Sequence, residues 1–419
     1  MSEQPAQDSI SDPPERVSLA AKSWLRPDVI SFRTIAALAR PFFRSGRFVF
    51  AYRDVVEVEL GDGKGPLNGA RFNSLAPLFE MLVRPELAIG ETFMNDEWRE
   101  THNDLAVTLG TLLKADKCLE QSRFGRILEK ARIAIAASFR RNNAVRSRRN
   151  AAHHYDIGND LYRSFLDEEM VYSCAFFSRE AQSLEAAQRN KIETSLDRLD
   201  VRKGDELLDI GCGWGAMTRA AARRGARAVG VTLADRQLVL AEELVPPDLD
   251  GRLEYHLQDY RRHAELNPER YDRIVSIGMF EHVGPPQVGE FFDAVRRLLK
   301  PGGRVLIHSI VKPLPSRTNA WIDKYIFPGG VIPRLDDIVD AAEAGGLTLP
   351  CAPFEHEGSN YANTLRHWRR RFNAAFPSLD TEKYDERFRR MWNFYLAGSE
   401  AAFEALRFGV AQVLLERPD

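Results

Sequence analysis

Leu207-Leu208-Asp209-Ile210 runs directly into Gly211-Cys212-Gly213-Trp214-Gly215 and then into Ala216-Met217-Thr218-Arg219-Ala220-Ala221-Ala222. An apolar run, glycines at alternate positions and a helix-forming tract read as strand, tight turn and helix. No other stretch constrains the chain as much. Such a turn makes a nucleotide-type cradle, because no side chain blocks the approach of a ligand to the backbone and the helix N-terminus offers free N–H groups.

Two ligand classes fit the glycines. Gly211, Gly213 and Ala216 satisfy the dinucleotide pattern of nicotinamide and flavin enzymes. Asp209 at the end of the strand instead gives Asp-x-Gly-x-Gly-x-Gly, the arrangement with which S-adenosylmethionine-dependent methyltransferases hold the amino-acid end of the cofactor. The second strand, Ala228-Val229-Gly230-Val231, ends in Thr232 and not in the acid that a nicotinamide ribose wants. Arg236 would suit a 2′-phosphate, so the oxidoreductase reading is weakened and still open.

The rest of the chain supports an α/β fold. Strands are expected at Leu207–Ile210, Ala228–Val231, Leu253–Leu257, Arg273–Ile277 and Arg304–Ile310, with helices at Ala216–Arg224, Arg236–Leu244 and Val288–Leu299 between them. This alternation predicts a mostly parallel, Rossmann-like sheet covered on both faces, which the Asp209 arrangement would make that of a methyltransferase, with ligands beyond the carboxyl ends of its strands. Lys300-Pro301-Gly302-Gly303 reads as the turn before the fifth strand; an aromatic segment, Trp321–Phe327, two further helices and a last strand at Phe408–Leu415 follow.

Upstream, residues 1–20 read as disordered, and residues 21–122 as a small α+β domain with strands at Phe48–Tyr52, Val55–Leu60 and Ala70–Phe72 and helices at Leu75–Val83 and Leu105–Leu113. In residues 123–150, Arg123, Arg126, Lys130, Arg132, Arg140, Arg141, Arg146, Arg148 and Arg149 stand against one acid, Glu129. Two readings apply: a basic amphipathic linker suited to an anionic membrane, or a solvated linker packed by its apolar side on a neighbour. Residues 151–419 form the catalytic domain in this division. A formal net charge of -2 gives no global pull toward nucleic acid. With no run of eighteen apolar residues and no leader-like N-terminus, the expected location is cytoplasmic. Cys118, Cys174, Cys212 and Cys351 lack zinc spacing and fit reduced thiols; His153-His154 and Glu281-His282 are weak metal candidates, and no metal is expected.

Candidate chemistry lies near the strand ends. Glu281 follows the fourth strand in Phe280-Glu281-His282, His308 lies at the end of the fifth, Tyr172-Ser173-Cys174 precedes the sheet, and Tyr361 opens a later helix. Taken one at a time, each has a plain structural role: a cap, a core histidine, a small buried residue, a packing ring.

Taken together they resemble a known family. His154-Tyr155-Asp156, Tyr172-Ser173-Cys174, the glycine stretch, Gly230-Val231-Thr232-Leu233, Phe280-Glu281-His282 and Ile307-His308 occur in the order and spacing of the cyclopropane-fatty-acid and cyclopropane-mycolic-acid synthases, over roughly residues 150–419. The resemblance implies S-adenosylmethionine held by Tyr172, Ser173, Asp209, Gly211, Gly213, Trp214, Gly215, Thr232, Leu233, Gln237, Asp259 and Tyr260. It implies an active-site bicarbonate touching Cys174, Glu281, His308, Ile310 and Tyr361, with Tyr155 beside the reacting methyl. Ser399 replaces a C-terminal cysteine that some members carry.

The implied reaction transfers a methylene group to the double bond of an unsaturated acyl chain in phospholipid. Methyl addition leaves a carbocation that aromatic faces stabilise, and a base must then remove a proton to close the ring. Loss of a different proton would give a methyl or methylene branch, so a fatty-acid C-methyltransferase is the nearest alternative; a non-catalytic lipid-binding protein is a further one. The partners implied are acyl chains and, peripherally, the inner face of an anionic membrane. A homodimer is compatible with this reading.

Overall fold

A computed structural model describes residues 26–122, 157–178, 182–314 and 318–419. The basic segment 123–150 and Tyr155 lie outside the described residues.

The first part is a four-stranded sheet in the order β2-β1-β3-β4. Helix α1 (Pro27–Ala39) precedes β1 (Arg47–Tyr52), β2 (Val56–Gly61) and β3 (Leu67–Phe72); helices α2 (Ala76–Val83) and α3 (Pro85–Met94), β4 (Trp98–Thr101) and α4 (Leu105–Gln121) follow. The three expected strands are present within a residue or two, apart from an earlier start to β3. α1, α3 and β4 were not expected. β1 and β3 are parallel, so β3 returns beside β1 on the side away from β2.

Helices α5 (Asn159–Phe165) and α6 (Leu184–Arg198) lead into a seven-stranded sheet. Its elements are β5 (Glu206–Ile210), α7 (Ala216–Arg223), β6 (Arg227–Thr232), α8 (Asp235–Glu243), β7 (Leu253–Leu257), α9 (Tyr260–Leu266), β8 (Tyr271–Ile277), α10 (Val288–Leu298), β9 (Leu299–Val311), α11 (Ala320–Tyr325), α12 (Leu335–Ala344), β10 (Phe354–His356), α13 (Ser359–Ala375), α14 (Glu386–Leu406) and β11 (Gly409–Glu416). The order is β10-β11-β9-β8-β5-β6-β7. β5 to β9 are parallel, and β11 lies antiparallel to β9. The chain leaves β5 toward β6 on one side and returns to it through β8 on the other, so a crevice opens beyond the end of β5.

Two expectations change. Lys300–Gly303 is an irregularity within the long β9, where the pairing with β8 slips between Tyr271 and Arg273. More than two helices follow the aromatic segment, because Trp321–Tyr325 is itself helical and α12, α13 and α14 come after it.

Side chains alternate across β5 as strand geometry requires. Leu208 and Ile210 join one apolar cluster under α10 and α12, whereas Leu207 joins the other, under α6 and α7. Asp209 therefore faces α6. A third cluster runs from the four-stranded sheet into the helices: Phe93 meets Phe394 at 5.6 Å, and Trp321 meets Phe394 at 4.8 Å. Gly90 allows this contact, since a Cβ there would lie 2.4 Å from the Trp321 indole. At one edge Arg369 of α13 forks onto Asp104, the N-cap of α4, at 2.8 Å and reaches buried Glu400 of α14 at 3.0 Å.

Candidate active site

Gly211, Gly213 and Gly215 have φ of 81°, 54° and 82°, a left-handed conformation that favours glycine. A Cβ on Gly211 would sit 2.9 Å from Met279, and one on Gly215 would sit 2.3 Å from the Tyr255 hydroxyl. Gly213 instead faces open space. The loop is held from outside: Gly211 and Cys212 N–H groups donate to the Val231 carbonyl, and Arg219, paired with Glu169 at 2.7 Å, donates to the Trp214 carbonyl at 2.6 Å. Trp214 turns into the core, 5.0 Å from Tyr162, and its indole N–H donates to Asn159.

Asp209 is only 3% exposed, and burial pushes its carboxyl up to about 7 against the opposing pull of Lys191. Lys191, on α6, is itself buried, is pushed down to about 8, and donates to the Ser173 hydroxyl at 2.9 Å. Tyr172-Ser173-Cys174 belongs to no strand, so its neighbourhood is braced by side chains: Gln188 donates to the Ser173 carbonyl, Thr364 accepts from Ala175 N–H, and Asn360 accepts from Phe177 N–H. The Tyr172 and Tyr395 hydroxyls are 2.8 Å apart. The Cys174 thiol is pushed up to about 12 by burial, which removes it as a nucleophile near neutral pH.

At the end of β6, the Thr232 hydroxyl donates to Gln237 and accepts from Ala234 N–H, while Leu233 is 72% exposed. Beyond β7, Asp259 caps α9 and is forked by Arg261, which holds its carboxyl below the usual range. The Tyr260 ring stands edge-on to Phe291, its hydroxyl pushed up to about 12 by burial. The open face of Gly213 is a cradle that a Cβ would fill, and Asp209 is an acid suited to an ammonium. The residues present therefore fit S-adenosylmethionine.

The second half of the site lies between β8 and β9. Glu281 occupies a short turn after β8. Its Oε1 accepts from Ile310 N–H at 2.7 Å, while its buried Oε2 has no hydrogen-bond partner among the described residues. Burial raises this carboxyl to about 7, against the Ile310 amide and the Ser309 hydroxyl. His308 is buried on β9 and held well below its ordinary range, first by burial and then by Lys191, His356 and Arg198. Tyr361, in the first turn of α13, stacks on Phe403 at 4.5 Å. An orphaned carboxyl oxygen that holds a proton near pH 7 is suited to donate to a small anion, and a carboxylate would repel one. The residues present thus fit a small anion such as bicarbonate. Ile310 N–H is spent on Glu281, so it positions the carboxyl.

Lys191, Gln188, Asn360 and Thr364 were not among the expected site residues. A signal existed in the spacing Gln188, Lys191, Ser195, Arg198, one stripe of a helix. In a helix this polar, such a stripe reads as a solvated face.

Among the described residues no group of three His, Cys, Asp or Glu is placed to hold a metal, and no helix is long and apolar enough to cross a membrane. The family model described as mycolic acid cyclopropane synthetase matches residues 142–413. The cyclopropane-fatty-acyl-phospholipid synthase of Escherichia coli strain K12 is 37% identical over 339 residues, 80% of this chain and 85% of that protein. The tuberculostearic acid methyltransferase UfaA1 of Mycobacterium tuberculosis is 38% identical over 347 residues, 79% of each. The crystal structure of the mycolic acid cyclopropane synthase CmaA1 complexed with SAH and CTAB superposes with a TM-score of 0.59 at 32% identity, covering 64% of this chain and 98% of that one. Coclaurine N-methyltransferase bound to SAH, with a TM-score of 0.60 at 19% identity, shares the fold. The sheet is thus that of S-adenosylmethionine-dependent methyltransferases, and the chain belongs to the mycolic acid cyclopropane synthetase family, as its motifs implied.

Proposed function

We propose that this enzyme transfers a methylene group from S-adenosylmethionine to the double bond of an unsaturated acyl chain in phospholipid, forming a cyclopropane. The observation that carries the reading is the buried Glu281 Oε2, which has no hydrogen-bond partner among the described residues, near His308-bearing β9. Bound S-adenosylmethionine supplies an electrophilic methyl group. Asp209 binds the ammonium end, Ser173 is oriented by Lys191, Gly213 leaves room for the ligand, and Leu233 offers an apolar surface at the end of β6.

An alkene is a weak nucleophile, so alignment in a dry site is most of the catalysis. The aromatic wall of Tyr172, Trp368, Tyr361 and Phe403 suits the cation that develops on the acyl chain. In our reading Tyr155 adds to that wall. Ring closure needs a base for one proton of the added methyl, and bound bicarbonate supplies one small enough to fit. Glu281 and His308 orient that anion, and Glu281 Oε2 holds or releases a proton there.

The test is mass spectrometry of total fatty acids from cells expressing the protein. Gain of one methylene without a residual double bond is the expected result; unchanged acyl chains would contradict the reading. The same gain with the double bond retained would make the product a branched chain, in keeping with the methyltransferase relative. Removal of bicarbonate from the buffer should lower turnover of the purified enzyme.

For access to substrate we propose peripheral docking on an anionic cytoplasmic membrane face through residues 123–150, where each Arg or Lys contributes on the order of 1 kcal/mol. Vesicle co-sedimentation should require anionic lipid, weaken with salt and drop when Arg140, Arg141, Arg148 and Arg149 are changed together to Ser. Equal binding to neutral vesicles would favour the solvated-linker reading. A homodimer is the assembly that sedimentation should check.

A further inference from the structure

The register of β9 and β11 sets His308 directly opposite Gln412. Gln412 is fully buried, a polar residue between Ala411 and Val413 in an apolar strand. Among the described residues its side chain has three hydrogen-bond partners. The guanidinium of Arg198 donates to Oε1, and the amide nitrogen lies 2.8 Å from Ser195 Oγ and 3.1 Å from His308 Nδ1.

Arg198 decides which way the amide faces. A guanidinium only donates, so the amide oxygen must be the atom turned toward it; the flipped amide would set N–H against N–H. Arg198 is itself steered, lying over the Phe354 ring at 3.9 Å and 3.1 Å from His356 Nε2. With its oxygen committed, Gln412 can only donate to His308, whose Nδ1 must then be the bare, accepting nitrogen. The charged or titratable groups facing the ring are Lys191, Arg198 and His356, and each opposes a second proton.

We infer that Gln412, locked by Arg198, is a positioning residue that holds His308 as the neutral tautomer protonated at Nε2. Under the proposed function, on which the importance of this device rests, His308 is thereby fixed as a hydrogen-bond donor to the active-site anion. A ring protonated at Nδ1 would present a lone pair to that anion.

The test is ring ¹⁵N NMR on the full chain labelled with ¹⁵N-histidine, with the His308 signals assigned by their loss in His308→Gln. At pH 7 the wild-type protein should show the neutral Nε2–H pattern. An Nδ1–H or imidazolium pattern would overturn the inference without recourse to any variant. Gln412→Glu keeps the volume and the Arg198 contact but offers Nδ1 only acceptors, so the pattern should reverse or become imidazolium. Where the pattern reverses, turnover should fall roughly tenfold or more while S-adenosylmethionine affinity is unchanged. An unaltered ¹⁵N pattern in a folded Gln412→Glu protein would overturn the inference. A reversed pattern with unchanged turnover would uphold the tautomer device and overturn the site reading beneath it.

Discussion

Asp209 and Glu281 are both buried carboxyls raised to about 7, yet they are furnished in opposite ways. Asp209 has an ammonium group near it in Lys191, and it stands beside the glycine cradle. Glu281 has one oxygen on a backbone amide, and the other has no hydrogen-bond partner among the described residues. At the first site Lys191 pulls against burial toward the ionised acid, which suits a cationic ligand; the second tolerates a protonated acid and so suits an anion. Desolvation raises both. Their partners decide what each can do.

The largest expected effect comes from a third acid that serves as a structural control. Glu400 is buried against Arg369 and Arg366, so Arg369→Met leaves it short of a partner and should cost about 3–5 kcal/mol, seen as a lower midpoint in urea unfolding. If Asp209→Asn or Glu281→Gln destabilised the fold as much, those acids would be structural too. Next, Glu281→Gln should lower turnover on unsaturated phospholipid by roughly 10²-fold or more, because Gln can donate but cannot take up a proton. Calorimetric binding of S-adenosylmethionine should persist in that variant.

Asp209→Asn should weaken that binding by roughly 10- to 100-fold, the range of a charge-assisted hydrogen bond. Gly213→Val should also abolish it, since the branched side chain fills the cradle and strains a left-handed backbone. Normal binding to Gly213→Val would remove the loop from the site.

A smaller effect concerns pH. Both acids have folded values above their ordinary 3.8 and 4.5, so the folded state binds more protons than the unfolded state between those values and about 7. Their contribution is complete below about 4 and is lost as pH rises through 7, on the order of 3–4 kcal/mol for each at most. Unfolding free energies at pH 5 and 8 should differ less in Asp209→Asn and in Glu281→Gln than in the wild type. An equal difference in all three would contradict the shifts.

The turn of the proposed cofactor half was legible in the sequence because its requirements are local: three left-handed glycines and an acid, within one strand and one turn. Glu281 and His308 were legible through the family resemblance. Their support was not. Gln412 lies 104 residues from His308, and only the β9–β11 register brings them together. Lys191 stands on α6, a helix not expected from the sequence, whose polar face is turned inward onto Ser173, Asp209 and Gln412. Helical periodicity shows that such a face exists without showing that a second set of polar groups awaits it.

The most direct measurement is infrared difference spectroscopy on addition of S-adenosylmethionine at pH 7, following the C=O band of protonated carboxyls. An ionised Asp209 facing an ammonium predicts that binding removes a band absent from Asp209→Asn, while the band missing in Glu281→Gln persists. Loss of the Glu281 band on binding, with the Asp209 band unchanged, would contradict the division of labour between the two acids.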